Sequence, residues 1–138
     1  MKKSIVTLEP LTKFPLIADL ETDRSGLYEA PIAHAIWTEG KVKISAKQHD
    51  LEYEASKCLK CGICVEVCPN TDIHSINLGA VFAVDCYLKW AQNENESEKK
   101  RIKKEYNNNF ASGCSKAMSC AKYCPAKIDI RKLISQMK

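Results

Sequence analysis

Two cysteine runs of one length carry the chemistry of this sequence. The first, Cys58 to Pro69, reads CLKCGICVEVCP, and the second, Cys114 to Pro125, reads CSKAMSCAKYCP. The first has the spacing C-x2-C-x2-C-x3-C-P, which wraps an iron-sulfur cluster and lends its fourth cysteine to a second cluster. In the second run Ala117 occupies the place of the second cysteine. The pattern predicts an electron carrier.

The two runs offer seven thiolates, which is one fewer than two complete cubane clusters need. Ala117 supplies neither charge nor a lone pair to the iron that it would face. The count therefore predicts a 4Fe-4S cluster beside a 3Fe-4S cluster. A second 4Fe-4S cluster with a non-cysteine ligand stays open as an alternative.

Disulfides and zinc are the other uses that this many cysteines could serve. The chain has 8 cysteines in 138 residues, which is a smaller share than in a disulfide scaffold, and no signal peptide precedes them. Zinc sites favour pairs of C-x2-C across a loop, and that interpretation leaves three thiolates unused. A reducing, cytoplasmic compartment is the better fit.

Length and charge limit the remaining classes. A chain of 138 residues forms one small domain, and metal binding is expected to supply much of its stability. No stretch is apolar enough to span a bilayer. The segment Glu98 to Glu105, EKKRIKKE, is a solvated helix face in its plainest interpretation, or else a docking surface for an acidic partner or anionic lipid. No nucleic-acid module is visible.

The elements ahead of the first run are short. Ser4 to Leu8 alternates like a strand, and Pro10 and Pro15 then mark an extended connector, so residues 1–20 are predicted to be a strand and linker segment. Asp23 is a candidate cap for a helix through Tyr28. Pro31 is expected to break that helix, which could resume from Ile32 to Trp37.

The elements that flank and separate the runs are helical. Ser45 with Gln48 reads as a capping box for a helix toward Cys58. A helix is predicted from Leu78 to Gln92, another from an Asn95 cap with Glu98 toward Tyr106, and a last one, Ile130 to Met137, from an Asp129 cap. The fold class is therefore all-α, with residues 21–138 forming a helical ferredoxin-like domain around two clusters.

The motif C-x2-C-x2-C-x3-C-P followed by C-x5-C-x3-C-P resembles the C-terminal half of succinate dehydrogenase and fumarate reductase iron-sulfur subunits. The connector KFPLIADLETDRSGLYE looks like the segment with which those subunits leave their N-terminal 2Fe-2S domain, and NLGAVFAVDCYLKWAQ is similar to their inter-cluster helix. The likeness covers nearly the whole chain.

This resemblance implies a ligand set in which each run serves both clusters. The residues implied for the 4Fe-4S cluster are Cys58, Cys61, Cys64 and Cys124. Those implied for the 3Fe-4S cluster are Cys68, Cys114 and Cys120.

The resemblance also implies partners. A flavoprotein subunit would exchange electrons with the clusters, and a separate 2Fe-2S domain or chain would complete the relay. A membrane anchor subunit, a quinone acceptor and a peripheral position on the cytoplasmic face are further implications. However, the tryptophan and histidine that quinone-reducing members place after their cysteines are absent, because residues 70–73 read NTDI and Ser115 follows Cys114.

The remaining candidate residues have plainer interpretations. Cys86 lies in an apolar segment and is expected to be a buried small hydrophobe. Tyr87 and Trp90 could line a quinone pocket, but aromatic residues on a helix are more often core packing. The histidines are expected to be surface or packing residues, with His74 the one that could hydrogen-bond near the second cluster. The set comprises His34, His49 and His74.

Two hypotheses remain at this point. The first is a non-catalytic electron-transfer subunit of a succinate dehydrogenase or fumarate reductase type complex. The second is a free-standing ferredoxin-like carrier or iron-sulfur sensor, with a heterodisulfide-reductase-like complex as a related possibility. The connector favours the first, because Phe14, Leu16 and Ile17 would be exposed unless another domain covered them.

Overall fold

Helices dominate the computed structural model, which describes residues 5–38, 42, 46, 49–72 and 77–137. The seven α-helices of this part are α1 (Gly26–Ala33), α2 (His49–Ser56), α3 (Ile63–Glu66), α4 (Gly79–Gln92), α5 (Glu96–Asn109), α6 (Ser119–Lys122) and α7 (Ile130–Gln136). A 3-10 turn, Ala111–Gly113, joins α5 to the second cysteine run. The all-α prediction is confirmed.

A small antiparallel hairpin lies in the N-terminal segment. Strand β1 (Leu16–Ala18) pairs with β2 (Glu21–Thr22) through the register Leu16 to Thr22 and Ala18 to Glu21. Asp19 turns the chain between them with a left-handed φ of 51°. The hairpin was not predicted. The predicted strand from Ser4 to Leu8 lies partly outside the described residues, and Ile5 to Leu8 are not in a strand.

The start of α1 differs from its prediction in two ways. Ser25 is the N-cap residue. Asp23 lies two residues before it, and its Oδ1 accepts the Ser25 N–H at 2.8 Å. Pro31 lies inside α1 instead of breaking it. This is possible because α1 is short, so the missing Pro31 N–H leaves only the carbonyl of Leu27 without its usual helical donor.

Helix α4 is the centre of the fold, and α1, α2, α3, α5 and α7 all contact it. Its residues from Gly79 to Val84 are buried, with Cys86 and Tyr87, because the segment is apolar on almost every face. The helix ends at Gln92, as the sequence predicted, and begins at Gly79, one residue after the predicted start at Leu78, which is its N-cap. Ile102, Tyr106 and Leu133 complete the core from α5 and α7.

Helices α5 and α7 begin at the predicted caps. The Asn95 side chain accepts the Ser97 N–H at 2.9 Å, while Glu98 pairs with Arg101 instead of closing a capping box. The Asp129 side chain accepts the Lys132 N–H at 3.3 Å. The predicted capping box of Ser45 and Gln48 lies outside the described residues. Helix α2 nevertheless runs toward Cys58, as expected.

Candidate iron-sulfur site

The two cysteine runs share one backbone path. Lys60 and Lys116, each two residues after the first cysteine of its run, have left-handed φ angles of 51° and 61°. Gly62 and Met118, each four residues after that cysteine, have φ angles of 84° and 58°. Helices α3 and α6 then begin at the same offset. Ala117 therefore occupies the structural position of Cys61.

This backbone path suits an anionic inorganic group. Cys61 and Ala117 each lie between two left-handed residues, and such alternation turns successive N–H groups toward one concave side. Concavities of this kind occur around iron-sulfur and phosphate groups. Gly62 has a second reason to be glycine, since an added Cβ would lie 2.8 Å from Phe14 Cζ. The short spacers thus position sulfur atoms through the turn, not through a long element.

Sulfur atoms from both runs border a first cavity. Apolar residues of α4 and α7, among them Val84 and Ile130, form its remaining wall, and no carboxylate or histidine lines it. Thiolate sulfur is the donor that iron-sulfur clusters take, so the donor set fits such a group. The cysteines that line this cavity are Cys58, Cys61, Cys64, Cys120 and Cys124.

A second cavity has fewer sulfur donors. Cys68, Cys114 and Cys120 line it together with Ala117. Ala117 is exposed, so the position that lacks a cysteine faces the surface. At the rim the Ser115 hydroxyl donates to Asn70 Oδ1 at 2.6 Å. The structure thus brings all seven run cysteines to two adjacent cavities, and Cys120 borders both.

The cysteines are also chemically free to bind iron. All eight are unpaired thiols. Within residues 5–38, 42, 46, 49–72 and 77–137, no three Cys, His, Asp or Glu side chains converge on a point as ligands of a single ion do. Cluster ligands are instead spread around a body of several irons, which is the arrangement that the two cavities provide.

Burial makes the thiols costly to ionise without metal. It raises the pKa of Cys64 to about 12 and also raises the pKa values of Cys58 and Cys120. Iron binding must therefore displace protons from these sulfurs, as metal ligation by thiolates generally does. The positive charge of the metal offsets the same desolvation that keeps the free thiols neutral.

The connector is clamped onto the first run by Glu66 of α3. One carboxylate oxygen of Glu66 accepts the Thr12 N–H and hydroxyl at 3.0 and 2.7 Å, and the other accepts the Lys13 N–H at 3.0 Å. Partial burial opposes ionisation of Glu66, but these bonds hold its pKa below the usual range. The Lys13 ammonium donates to the carbonyls of Val65, at 3.2 Å, and Cys68.

The connector also bounds a cavity of another kind. With α1 and α4 it encloses a groove of about 550 Å³ that no cysteine lines in the described part of the chain. Phe14 is half-buried in this groove beside Leu27 and Val81. Leu16 and Ile17 remain about 60% exposed. The predicted exposure of the connector is therefore observed in the hairpin but not at Phe14.

An ion pair joins the first run to α4. The Lys60 ammonium donates to Asp85 Oδ2, and both side chains are mostly buried. Burial raises the pKa of Asp85, although Lys60 acts in the opposite direction. Lys60 also lies 5.9 Å from the centre of the Tyr28 ring. The left-handed residue of the first turn is thereby fixed to the central helix. Its counterpart Lys116 is exposed.

The other candidates have packing roles in the described structure. Cys86 is fully buried in the core and borders neither cysteine-lined cavity. Tyr87 is buried with its ring centre 6.3 Å from that of Trp90, and neither borders those cavities. His34 Nδ1 lies 2.9 Å from Glu105 Oε2, which joins the end of α1 to α5.

Two further predictions concern histidine and the basic segment. His49 stacks on Tyr53, and His74 lies outside the described residues. In the basic segment, Lys99 pairs with Glu96 and Arg101 with Glu98, while Lys100 and Lys104 are exposed. The plain interpretation of that segment as a solvated helix face with local ion pairs therefore fits most of it. Arg101 is the exception, because its guanidinium also donates to the carbonyls of His34 and Ala35 at 3.2 and 2.6 Å.

Sequence reasoning missed the clamp at Glu66 and the ion pair of Lys60 with Asp85. The matching offsets of Lys60 and Lys116 in the two runs were the available signal for a shared turn. No local pattern links Thr12 to Glu66, because 54 residues separate them.

Residues 54–128 match the family model described as 4Fe-4S dicluster domain. The chain is 26% identical over 145 aligned residues to the succinate dehydrogenase iron-sulfur subunit of Bacillus subtilis, covering 96% of this chain and 56% of that protein. It is 25% identical to the fumarate reductase iron-sulfur subunit of Haemophilus influenzae, covering 95% of this chain and 59% of that protein.

These matches confirm the resemblance on which the predictions relied. The chain spans a little over half the length of these curated relatives, and the match falls in their C-terminal part. In the described part of the chain, no helix is long and apolar enough to cross a membrane.

Proposed function

Because the chain belongs to the 4Fe-4S dicluster domain family, we propose that it relays single electrons through two iron-sulfur clusters in a succinate dehydrogenase or fumarate reductase type complex. The observation that carries this proposal is the pair of adjacent cavities into which two runs with one backbone path bring seven cysteines. The family description supports iron-sulfur chemistry at both.

The proposed ligands divide between the cavities as the resemblance implies. Cys120 is the one cysteine that lines both cavities, and the resemblance assigns it to the second cluster. The residues proposed to hold a 4Fe-4S cluster are Cys58, Cys61, Cys64 and Cys124. Those proposed to hold a 3Fe-4S cluster are Cys68, Cys114 and Cys120. The exposed Ala117 supports the three-iron assignment, because it leaves one corner without a protein thiolate.

The clusters, when bound, supply the redox chemistry, and the chain's own residues supply position and electrostatics. The turns hold the sulfurs, and the apolar wall of α4 and α7 excludes water from the first cavity. The Lys60 and Asp85 pair fixes the first turn. No side chain needs to make or break a bond, so the subunit is non-catalytic in this proposal.

The partners belong to the proposal as well. A flavoprotein would perform the dicarboxylate chemistry, and a separate 2Fe-2S domain or chain would pass electrons between it and this chain. Residues 1–20 would serve as a linker segment clamped at Glu66 onto the helical domain of residues 21–138. Contact with a membrane anchor would make the complex peripheral on the cytoplasmic side.

Electron paramagnetic resonance of anaerobically purified protein tests the cluster assignment. An oxidised 3Fe-4S cluster is paramagnetic, whereas an oxidised low-potential cubane is silent, so we expect one three-iron signal per chain. Replacing Ala117→Cys completes the second run and should remove that signal in favour of a second cubane. The matched control Ala121→Cys adds a thiol on α6 outside both cavities and should leave the signal unchanged.

Two outcomes would contradict the assignment. Absence of the three-iron signal from the unmodified protein would favour a second 4Fe-4S cluster with a non-cysteine ligand. Its persistence in Ala117→Cys would mean that residue 117 does not face the second cluster. Co-purification of a flavoprotein would support the complex, and a stable monomer that exchanges electrons alone would favour a free-standing carrier.

A further inference from the structure

The excess positive charge of the chain is concentrated in its last 29 residues. Residues 110–138 contain six lysines and arginines and one aspartate, which gives a net charge of +5. Residues 1–109 contain fifteen lysines and arginines and sixteen aspartates and glutamates, which gives a net charge of −1. This C-terminal stretch comprises the second cysteine run and α7. The stretch around the second run is therefore the most basic part of the chain. This differs from the segment Glu98 to Glu105 that sequence reasoning singled out.

The structure gathers part of this charge around a surface groove of about 450 Å³. Lys122 of α6, Lys127 of the following loop and Arg131 of α7 line it, above a floor that includes Met118 and Ile128. We call it the basic groove. Its position between α6 and α7 follows from the contact of those helices.

The one carboxylate of the basic groove is already engaged. Asp129 caps α7, and its two oxygens lie 3.6 Å from Arg131 Nε and 3.7 Å from Lys132 Nζ. Within the described residues no carboxylate lies within ion-pair distance of Lys122 or Lys127, although the Lys122 ammonium lies 5.3 Å from the centre of the Tyr123 ring. The groove therefore keeps a positive potential that can attract an anionic surface.

The basic groove adjoins both cysteine-lined cavities. Met118 borders the groove and the second cavity, and Ile128 borders the groove and the first cavity. A molecule bound in the groove is thus separated from each proposed cluster by a single residue, Ile128 for the first and Met118 for the second. Electron transfer through protein falls steeply with distance, so this is a favourable place for electrons to enter or leave.

We propose that the basic groove is the docking site of a soluble one-electron carrier protein with an acidic face. The inference rests on the proposed function, because it needs clusters in the two cavities. One electron crosses the interface, so that the carrier is oxidised as a cluster is reduced, or the reverse, and no bond forms or breaks. Charge complementarity would supply the encounter rate and orientation.

A protein fits this surface better than a lipid membrane does. The cations line a concavity, which a protruding acidic loop can enter and a flat bilayer cannot. A membrane-binding face also needs several exposed apolar side chains beside its cations. Here Ile128 in the floor is only 3% exposed, and among the described residues the one large exposed ring beside the groove is Tyr123, which lies against the Lys122 ammonium.

Stopped-flow mixing with an acidic plant-type ferredoxin, reduced beforehand, tests the proposal with the intact cluster-loaded protein. The variant Lys122→Glu with Lys127→Glu should slow the second-order rate at low ionic strength by about tenfold, and salt should slow the unmodified protein. The matched control Lys100→Glu with Lys104→Glu changes the net charge equally but lies on α5, and should change the rate by less than about twofold.

Each outcome decides a different question. Equal slowing in both variants, or a rate indifferent to salt, would overturn the groove as the docking site while the proposed function stood. Protein that is purified without iron-sulfur clusters would overturn both the docking site and the proposed function. Iron content and melting temperature equal to those of the unmodified protein show that each variant is intact. The milder pair Lys122→Gln and Lys127→Gln should give an intermediate rate.

Binding to phosphatidylserine vesicles distinguishes a membrane from a protein partner. The proposal would be contradicted if the unmodified protein sedimented with these vesicles and the variant Lys122→Glu with Lys127→Glu did not, while the ferredoxin rate of that variant was unchanged. The groove would then be a membrane-binding site.

Discussion

Met118 offers a direct test of the shared backbone path of the two runs. Its φ of 58° matches the φ of 84° at Gly62, but it carries a side chain where the first run has glycine. A non-glycine residue in the left-handed region costs about 1–2 kcal/mol. Glycine relieves that strain, so Met118→Gly should be more stable than Met118→Ala by about 1 kcal/mol. In a helix interior the order would be reversed.

The comparison with alanine separates the backbone from the side chain. Both variants lose the same contacts of Met118 in the second cavity and the basic groove, so their difference reports the φ angle. For a domain of this size, about 1 kcal/mol corresponds to about 3–5 °C in melting temperature. Thermal unfolding of anaerobic, cluster-loaded protein, followed by visible absorption, measures it.

The first run supplies the complementary variant. Gly62→Ala should lower the melting temperature by more than the difference between Met118→Gly and Met118→Ala. The reason is that the new Cβ adds a 2.8 Å contact with Phe14 to the strain at a positive φ. A Met118→Gly protein no more stable than Met118→Ala would refute the left-handed assignment at residue 118. The structural equivalence of Ala117 and Cys61 would then lose its main support.

Three further changes test other parts of the structure. Glu66→Gln should destabilise the fold by about 1 kcal/mol at pH 7 through loss of a charged acceptor. Because the folded pKa of Glu66 is lowered from its ordinary value of 4.5, the difference in melting temperature from the unmodified protein should persist down to about pH 4.5 and shrink below it; a difference that grows there would contradict the clamp. Asp85→Asn should lower the free energy of unfolding by about 3 kcal/mol, because it leaves the Lys60 ammonium without its anion. The double variant Lys60→Met with Asp85→Leu should recover most of that stability. Equal melting temperatures in these two variants and the unmodified protein would refute a stabilising role of the ion pair. Cys86→Ala should leave iron content unchanged while Cys64→Ser reduces it, and iron loss from Cys86→Ala would make Cys86 a ligand.

The sequence predicted most of what is local in this fold. Caps at Asn95 and Asp129 and the apolar run of α4 are encoded within a few residues, so their helices appear where expected. Pro31 was misjudged because a proline near the end of a short helix costs few hydrogen bonds. The hairpin of β1 and β2 escaped notice because both strands are very short.

The site was predictable in composition but not in its supports. Cysteine spacing alone identified the seven sulfurs that line the two cavities. The clamp from Thr12 to Glu66, the pair of Lys60 and Asp85, and the basic groove join residues that are distant in sequence or meet only on the folded surface. Such contacts depend on how the helices pack, and hydrophobic periodicity does not specify them.

Metal and sulfide analysis of anaerobically purified protein, combined with electron paramagnetic resonance, tests the central claim most directly. A cubane beside a three-iron cluster predicts about seven irons and about eight acid-labile sulfides per chain, with one three-iron signal in the oxidised state. Zinc without sulfide, or disulfide bonds among the cysteines of the two runs, would contradict the claim that these sulfurs hold two clusters.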